Sequence, residues 1–199
     1  MLLDDRNIPL EVIDGLMLDA EYQELLRPDE TIIGRNGMTY RLPRYFFVVD
    51  SYEIAKQIKL APNFFISEFL ETDYKEADLQ RDYPKYIPTA VTLMAAALGV
   101  LRKQVRSSIR IATNGGYRSP HHSLNTYMSP HCWGTAVNIY RIGNKHLNNQ
   151  AIIDKYAEII KKTLPGVWVR PYGTTEGTSF DQLHLDIGFT TAVPKKLRS

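Results

Sequence analysis

The chain has 199 residues, of which 44% are hydrophobic and 23% are charged, so it can bury the core of one domain and is not disordered as a whole. Its 24 basic and 22 acidic residues give a net charge of +2, which does not support a protein that binds nucleic acid or a membrane surface. The single cysteine, Cys132, excludes an internal disulfide framework and a zinc site built from several cysteines. There is no apolar run of the roughly 18 residues that cross a bilayer and no secretory signal, so we expect a cytoplasmic protein, or one exported by another route.

The first sixty residues predict a small α/β unit. Residues 31–33 and 38–42 are two strand-like runs, and Asn36-Gly37 between them is a strong hairpin signal. Residues 45–49 form an apolar run that suits a buried strand. Later helices are predicted from capping residues and from apolar side chains at helical spacing. The predicted helices begin at Asp50, Ser67, Ile87 and Gln150.

Short apolar runs alternate with the later helices. They predict strands at residues 109–113, 135–140, 167–170 and 183–187. In the last strand, His184 and Asp186 share one face, and Leu183, Leu185 and Ile187 share the other. The expected fold class is α+β, a small antiparallel sheet with helices packed on one face. We predict an N-terminal α/β extension at residues 1–62 and a second part at residues 63–199, together forming one compact unit.

Two histidines and an asparagine form a candidate metal site. His131 lies in a loop that enters the strand of Asn138, and a turn at Gly134 would fold the histidine back beside that asparagine. If the strand of His184 pairs nearby, two imidazoles and one oxygen converge, as in a catalytic zinc site with an open fourth position. Asp181 would then lie within reach of a metal-bound water, where a general base is required. Spacing alone does not decide this, because two distant histidines are more often unrelated.

Other residues near these motifs have simpler interpretations. Cys132 is expected to be a small buried hydrophobe, and Trp133 is expected to lie in the core. His122 is a candidate cleft residue because it follows Arg118 in the same loop. Tyr172 is either a wall of the pocket or part of a plain turn.

Four motifs follow one another in a fixed order from about residue 64 to residue 188. They are Ser67-Glu68-Phe69, Gly116-Tyr117-Arg118-Ser119, Ser129-x-His131-x-x-Gly134-x-Ala136-x-Asn138, and Asp181-x-x-His184. This combination resembles the zinc D-Ala-D-Ala carboxypeptidase family, which shares its fold with the hedgehog signalling domain. The resemblance implies a hedgehog/DD-peptidase-like fold for this stretch. It also implies zinc-dependent hydrolysis of a peptide bond near a D-amino acid, with a peptide or peptidoglycan fragment as the partner.

Residue roles follow from the resemblance by position. The implied zinc ligands are His131, Asn138 and His184. Asp181 is the implied base, and Arg118 steadies a substrate carbonyl or carboxylate, which suits a guanidinium group. The further candidates for substrate binding are Ser129, His122 and Tyr172.

One position departs from the family pattern. Asn138 stands where the family has its zinc-binding aspartate, and a neutral amide brings no charge, so zinc affinity should fall. The site either holds zinc through Asn138, or recruits the Asp186 carboxylate instead, or has lost catalysis and serves as a binding or structural module. An engineered exchange of Asp for Asn is a fourth alternative. The sequence leaves the oligomeric state open.

Overall fold

The computed structural model describes residues 10–34, 36–125, 128–173 and 180–195. In chain order the strands are β1 (Glu11–Asp14), β2 (Thr31–Ile33), β3 (Thr39–Arg41), β4 (Tyr45–Val48), β5 (Lys59–Ala61), β6 (Phe64–Phe65), β7 (Tyr86–Pro88), β8 (Ile109–Ile111), β9 (Ala136–Ile142), β10 (Lys145–His146), β11 (Trp168–Val169) and β12 (Leu183–Asp186). The α-helices are α1 (Ala20–Leu26), α2 (Tyr52–Ala55), α3 (Val91–Val105) and α4 (Gln150–Thr163). Single 3-10 turns occur at Gly15–Met17, Ile66–Phe69, Asp78–Gln80 and Pro130–Trp133.

The strands form small antiparallel sheets. The largest has the order β10-β9-β12-β11, and β8 also pairs with β9. A three-stranded sheet has the order β1-β4-β7, while β2-β3 and β5-β6 are hairpins. The predicted α+β class is therefore confirmed, with several small sheets in place of one.

The first sixty residues share their core with the rest of the chain. Strand β4 pairs with β7, with Phe47 opposite Ile87, across the predicted boundary at residue 62. The Trp133 indole Nε1 also donates a hydrogen bond to the Arg41 carbonyl at 3.0 Å. One buried apolar cluster contains side chains from both parts, among them Leu26, Phe46, Leu98, Val137 and Leu185.

The long helices lie close to their predicted positions. The predicted helix from Ile87 begins instead at Val91, because residues 86–88 hydrogen-bond to β4 as a strand. Helix α4 begins at the predicted residue, and the Asn149 side chain caps it by accepting from the Ile152 amide at 3.1 Å. No helix of the described ranges is long and apolar enough to cross a membrane.

Two shorter predictions need correction. The helix predicted from Asp50 is capped by Ser51, whose hydroxyl accepts from the Ile54 amide at 3.2 Å. The helix predicted from Ser67 is a single 3-10 turn at Ile66–Phe69. Strand β1 and helix α1 were not predicted; they have only four and seven residues, too few to show a clear period.

Candidate functional site

Strand pairing brings His184 and Asn138 together. In the antiparallel β9–β12 pair these two residues are direct partners, so their side chains lie on the same face. His184 Nδ1 is 2.8 Å from Asn138 Oδ1, and His184 Nε2 is 3.1 Å from Asp186 Oδ2. Asn138 and Asp186 therefore contact opposite nitrogens of one imidazole. Asp186 acts as an orienting partner of His184 in this arrangement, not as a substitute for residue 138.

The turn before β9 places His131 beside the same imidazole. The 3-10 turn at Pro130–Trp133 ends at Gly134, whose φ of 70° is a conformation that glycine adopts without steric cost. The ring centroids of His131 and His184 are 5.2 Å apart. His131 Nδ1 lies 2.7 Å from the Gly116 carbonyl. Since a carbonyl only accepts, Nδ1 carries the proton and Nε2 keeps its lone pair, the state in which metal-binding histidines are usually held.

The Gly115-Gly116 pair makes this contact possible. An added Cβ at Gly116 would lie 2.6 Å from Phe69 Cα, and one at Gly115 would lie 2.8 Å from the Asn138 carbonyl oxygen. The backbone between β8 and Arg118 therefore passes through a gap that no side chain fits. The amide of Tyr117 donates to the Phe69 carbonyl at 2.8 Å, which fixes the loop against the first 3-10 turn of the motif region.

Arg118 is a buried cation next to the two histidines. Its side chain is 8% exposed, and its Nε donates to the Asn114 carbonyl at 2.6 Å. Burial lowers the pKa of Arg118 to about 10, so the guanidinium is still charged at neutral pH. The positive charge of Arg170 acts on it in the same direction. Arg118 and Arg170 therefore both place positive charge near the two histidines, where Asp186 supplies a carboxylate.

Both histidines of the site are neutral at pH 7. Burial, followed by the charge of Arg118, holds the pKa of His131 well below its usual value. Burial also lowers the pKa of His184, although its hydrogen bond to Asp186 works in the opposite direction. A neutral imidazole is the form that binds a metal ion.

His122 supports the Arg118 loop. Its Nδ1 accepts from the Leu124 amide at 3.1 Å, so its Nε2 carries the proton that is donated to Asn114 Oδ1 at 3.0 Å. Asn114 thus links His122 to Arg118, because its side-chain oxygen accepts from His122 and its backbone carbonyl accepts from the guanidinium. Burial lowers the pKa of His122 to about 4. The neighbouring His121 is exposed.

The remaining candidates lie at the edges of this cluster. Ser129 is half-buried at the start of the 3-10 turn, with its hydroxyl 3.5 Å from Asn125 Oδ1. Tyr172 is half-buried and its ring packs edge-on against Phe180, with centroids 5.4 Å apart. Asp181 is exposed just before β12, and within the described ranges no hydrogen bond joins it to either histidine. The structure thus joins His131, Asn138, His184 and Arg118 and leaves Asp181 outside their contacts.

Cys132 and Trp133 are buried, as predicted. Cys132 is 1% exposed and packs with Trp133 and Leu42 in a small apolar cluster of its own. Burial raises the pKa of the Cys132 thiol to about 12. The thiol therefore does not ionise at neutral pH and is not a ligand or a nucleophile in this state.

The residues beside the site that were not predicted from the sequence include Glu76 and Trp168. Glu76 is 2% exposed, and its carboxylate accepts from the amide and the hydroxyl of Ser119, the residue after Arg118. Trp168 is half-exposed, lies opposite Asp186 across β11 and β12, and has its ring centroid 5.6 Å from that of His184. The role of Glu76 could not be predicted from local sequence, because its partner Ser119 lies 43 positions later in the chain.

The comparisons with known proteins add no relative. No protein-family model, curated protein or solved structure matches the chain. Over the described ranges, no group of three or more His, Cys, Asp or Glu side chains is placed to hold a metal ion. A three-donor site at this place therefore requires the amide oxygen of Asn138 together with the two histidines.

Proposed function

We propose that the chain is a zinc-dependent, peptidase-like hydrolase with a hedgehog/DD-peptidase-like fold, acting on a peptide bond near a D-amino acid such as those of peptidoglycan stem peptides. The observation that carries the proposal is the convergence of His131, Asn138 and His184 on the β9–β12 pair. The substrate class rests on the resemblance of the motifs, and the metal chemistry rests on the donor atoms.

The donor set fits a divalent cation. His131 Nδ1 donates to the Gly116 carbonyl, and His184 Nε2 donates to Asp186. Each ring therefore keeps one nitrogen with a lone pair, which is Nε2 in His131 and Nδ1 in His184. The free lone pair of His184, on Nδ1, faces the amide oxygen of Asn138 at 2.8 Å. A bound cation would take up the lone pairs of both atoms in place of this contact.

The proposed chemistry divides between the ion and the chain. A bound zinc ion would polarise the scissile carbonyl and acidify a water molecule. Arg118, a buried cation, would stabilise a developing oxyanion or bind a substrate carboxylate. Asp181, which is exposed just before β12, takes its role from the resemblance of the motifs: it would accept the proton of the attacking water and return it to the leaving amine. Asp186 and the Gly116 carbonyl keep the two imidazoles in their metal-binding tautomers.

One observation favours a second candidate, a binding module without turnover. Asn138 brings no charge, and its amide turned by half a revolution would donate its NH₂ to His184 Nδ1, so that hydrogen bonds alone complete the site. Arg118 and Arg170 would then favour an anionic ligand, such as the carboxylate end of a peptide.

Metal content separates the two candidates. The experiment compares the chain, purified without chelator and without a histidine tag, with Asn138→Asp and with a His131→Ala/His184→Ala double variant. We expect near-stoichiometric zinc in the first two proteins and none in the double variant. Zinc that appears only in Asn138→Asp would overturn the hydrolase proposal and leave the binding module.

Activity tests the reaction itself. Release of D-alanine from a peptide that ends in D-Ala-D-Ala should fall by about 10² to 10⁴-fold in Arg118→Ala and in Asp181→Ala. His121→Gln is the matched control, because His121 is exposed in the same loop as Arg118; this change should leave the rate unchanged. A zinc-loaded protein that releases no product from such peptides would contradict the proposed substrate class.

A further inference from the structure

A groove runs along the C-terminal half of α3, away from the candidate metal site. It has a volume of about 810 Å³ and shares no lining residue with that site. One side is formed by β5 and the turn that follows it, including Leu60 and Pro62, and the other by helix residues such as Gly99 and Val100.

The floor of the groove is apolar and open. Val100 is 50% exposed although it is a β-branched hydrophobe. An added Cβ at Gly99 would meet no atom within 4 Å, so no internal contact requires glycine in the middle of this helix. Glycine disfavours a helix relative to alanine. Its absent side chain leaves room for another backbone to approach α3.

The rim of the groove is basic. Lys103 and Arg106 line it, and in the described part of the chain their side chains form no ion pair or hydrogen bond. The third cation, Arg102, donates to the Asn63 carbonyl at 3.2 Å and lies over the Phe64 ring. No acidic side chain is among the residues that line the groove.

Arg106 also occupies a position that favours glycine. It ends α3 with a φ of 50°, in the left-handed region. Arg27 ends α1 with the same φ, but its guanidinium Nε is 2.6 Å from a Glu30 carboxylate oxygen. At the groove the arginine has the same backbone cost without such a partner, and places its positive charge at the rim.

We propose that this groove binds an acidic segment of a partner protein, with apolar side chains of the segment on the floor and its carboxylates paired with Lys103 and Arg106. The charge of the rim is complementary to such a segment, and apolar grooves of this kind bind the apolar side chains of peptide segments. The apolar surface is recessed between its walls, whereas a membrane surface takes side chains that protrude.

The test measures binding of a fluorescent synthetic peptide of alternating glutamate and leucine blocks by anisotropy, with the full chain. We expect the peptide to bind, and its affinity to fall at least tenfold when the salt concentration is raised from 50 to 300 mM. Lys103→Glu/Arg106→Glu should weaken binding by about tenfold or more. The control, Lys155→Glu/Lys162→Glu on α4, makes the same change in net charge and should bind as the unaltered chain does.

Several results would overturn the proposal. Equal binding by both double variants, or by a peptide with glutamine in place of glutamate, would show that the rim does not select acidic segments. Failure of the acidic peptide to bind, with capture by phosphatidylserine vesicles instead, would assign the groove to a membrane. A dimer in sedimentation that Lys103→Glu/Arg106→Glu abolishes would assign it to a second copy. Val100→Asp changes the floor of the groove and is a second test variant. Thermal melts verify that this variant and the two double variants are folded.

Discussion

At position 138, a single side-chain group separates the two candidate functions. An aspartate would present a charged oxygen to His184 Nδ1, whereas Asn138 presents a neutral amide at 2.8 Å. All the other proposed ligand and orienting groups of the site, including His131 and Asp186, are the same in both cases. In the proposed metal site, the charge of this one side chain is therefore what sets the affinity for a cation.

Asn138→Asp should raise zinc affinity at least tenfold, because an anionic oxygen replaces a neutral one among the donors. Competition with a chromophoric chelator measures the dissociation constant. Asn144→Asp, in an exposed turn, is the control for the added charge and should have no effect. Equal affinities for all three proteins would show that residue 138 is not a ligand.

Glu76→Gln should destabilise the fold by about 1–3 kcal/mol, because a glutamine amide cannot accept from all the donors that the buried carboxylate satisfies. These donors are the amide of Ala77 and both the amide and the hydroxyl of Ser119. Urea denaturation measures the loss. Asp78→Asn, at an exposed position nearby, should change stability by less than about 0.5 kcal/mol. A Glu76→Gln variant as stable as the original chain would contradict this role.

Among the elements, the loop that follows β8 is the most sensitive to side-chain size. It passes between Phe69 and β9 with no space for a Cβ at Gly116, whereas Gly99 in the middle of α3 has open space around it. The structure therefore requires glycine at position 116, where a side chain has no room, and does not require it at position 99.

Gly116→Ala should cost more than about 2 kcal/mol, because the new methyl group meets the backbone of Phe69 and not a mobile side chain. Gly99→Ala should stabilise the chain by about 0.5–1 kcal/mol through helix propensity. Thermal denaturation of the two single variants measures whether each change raises or lowers the stability of the chain. A mild effect at Gly116 would mean that the loop is free to move away from Phe69.

Local patterns predicted elements whose signals are short-range. The period of α4 and its Asn149 cap lie within one stretch of sequence, and so do the Asn36-Gly37 hairpin and the alternation of His184 with Asp186. By contrast, residues 86–88 follow a helical pattern locally but pair with β4, about forty positions earlier. No local signal specifies such a partner.

The candidate site divides along the same line. The sequence predicted that His131, Asn138 and His184 would meet if two strands paired, and the register of β9 and β12 joins Asn138 to His184. Asn114 and Glu76 were missed because their roles depend on loop contacts with Arg118 and Ser119. Periodicity carries no information about contacts of this kind.

The whole molecule buries several histidines in their neutral form. Burial lowers the pKa of His122 from its usual 6.5 to about 4, and it lowers the pKa values of His131 and His184 as well. Between pH 6.5 and about 4 the unfolded chain therefore binds protons that the folded chain does not. Stability is complete above this window and falls as the pH decreases through it.

The free energy of unfolding should fall by on the order of 2 kcal/mol between pH 7 and pH 4 from His122 alone. Denaturation curves at several pH values measure the slope. His122→Asn should flatten it, even if the variant is less stable at pH 7. The exposed His121→Gln should leave the slope as it is. An unchanged slope in His122→Asn would mean that other groups cause the acid sensitivity.

The one cysteine is a probe for local opening of the structure around the site. Cys132 directly follows His131 in the turn that enters β9, and its thiol is shielded from solvent between Trp133 and Leu42. A thiol reagent reaches Cys132 only when the structure around it opens locally or unfolds. The labelling rate therefore reports the free energy of local opening around Cys132, and a ligand that binds the closed turn should slow labelling without changing the fold.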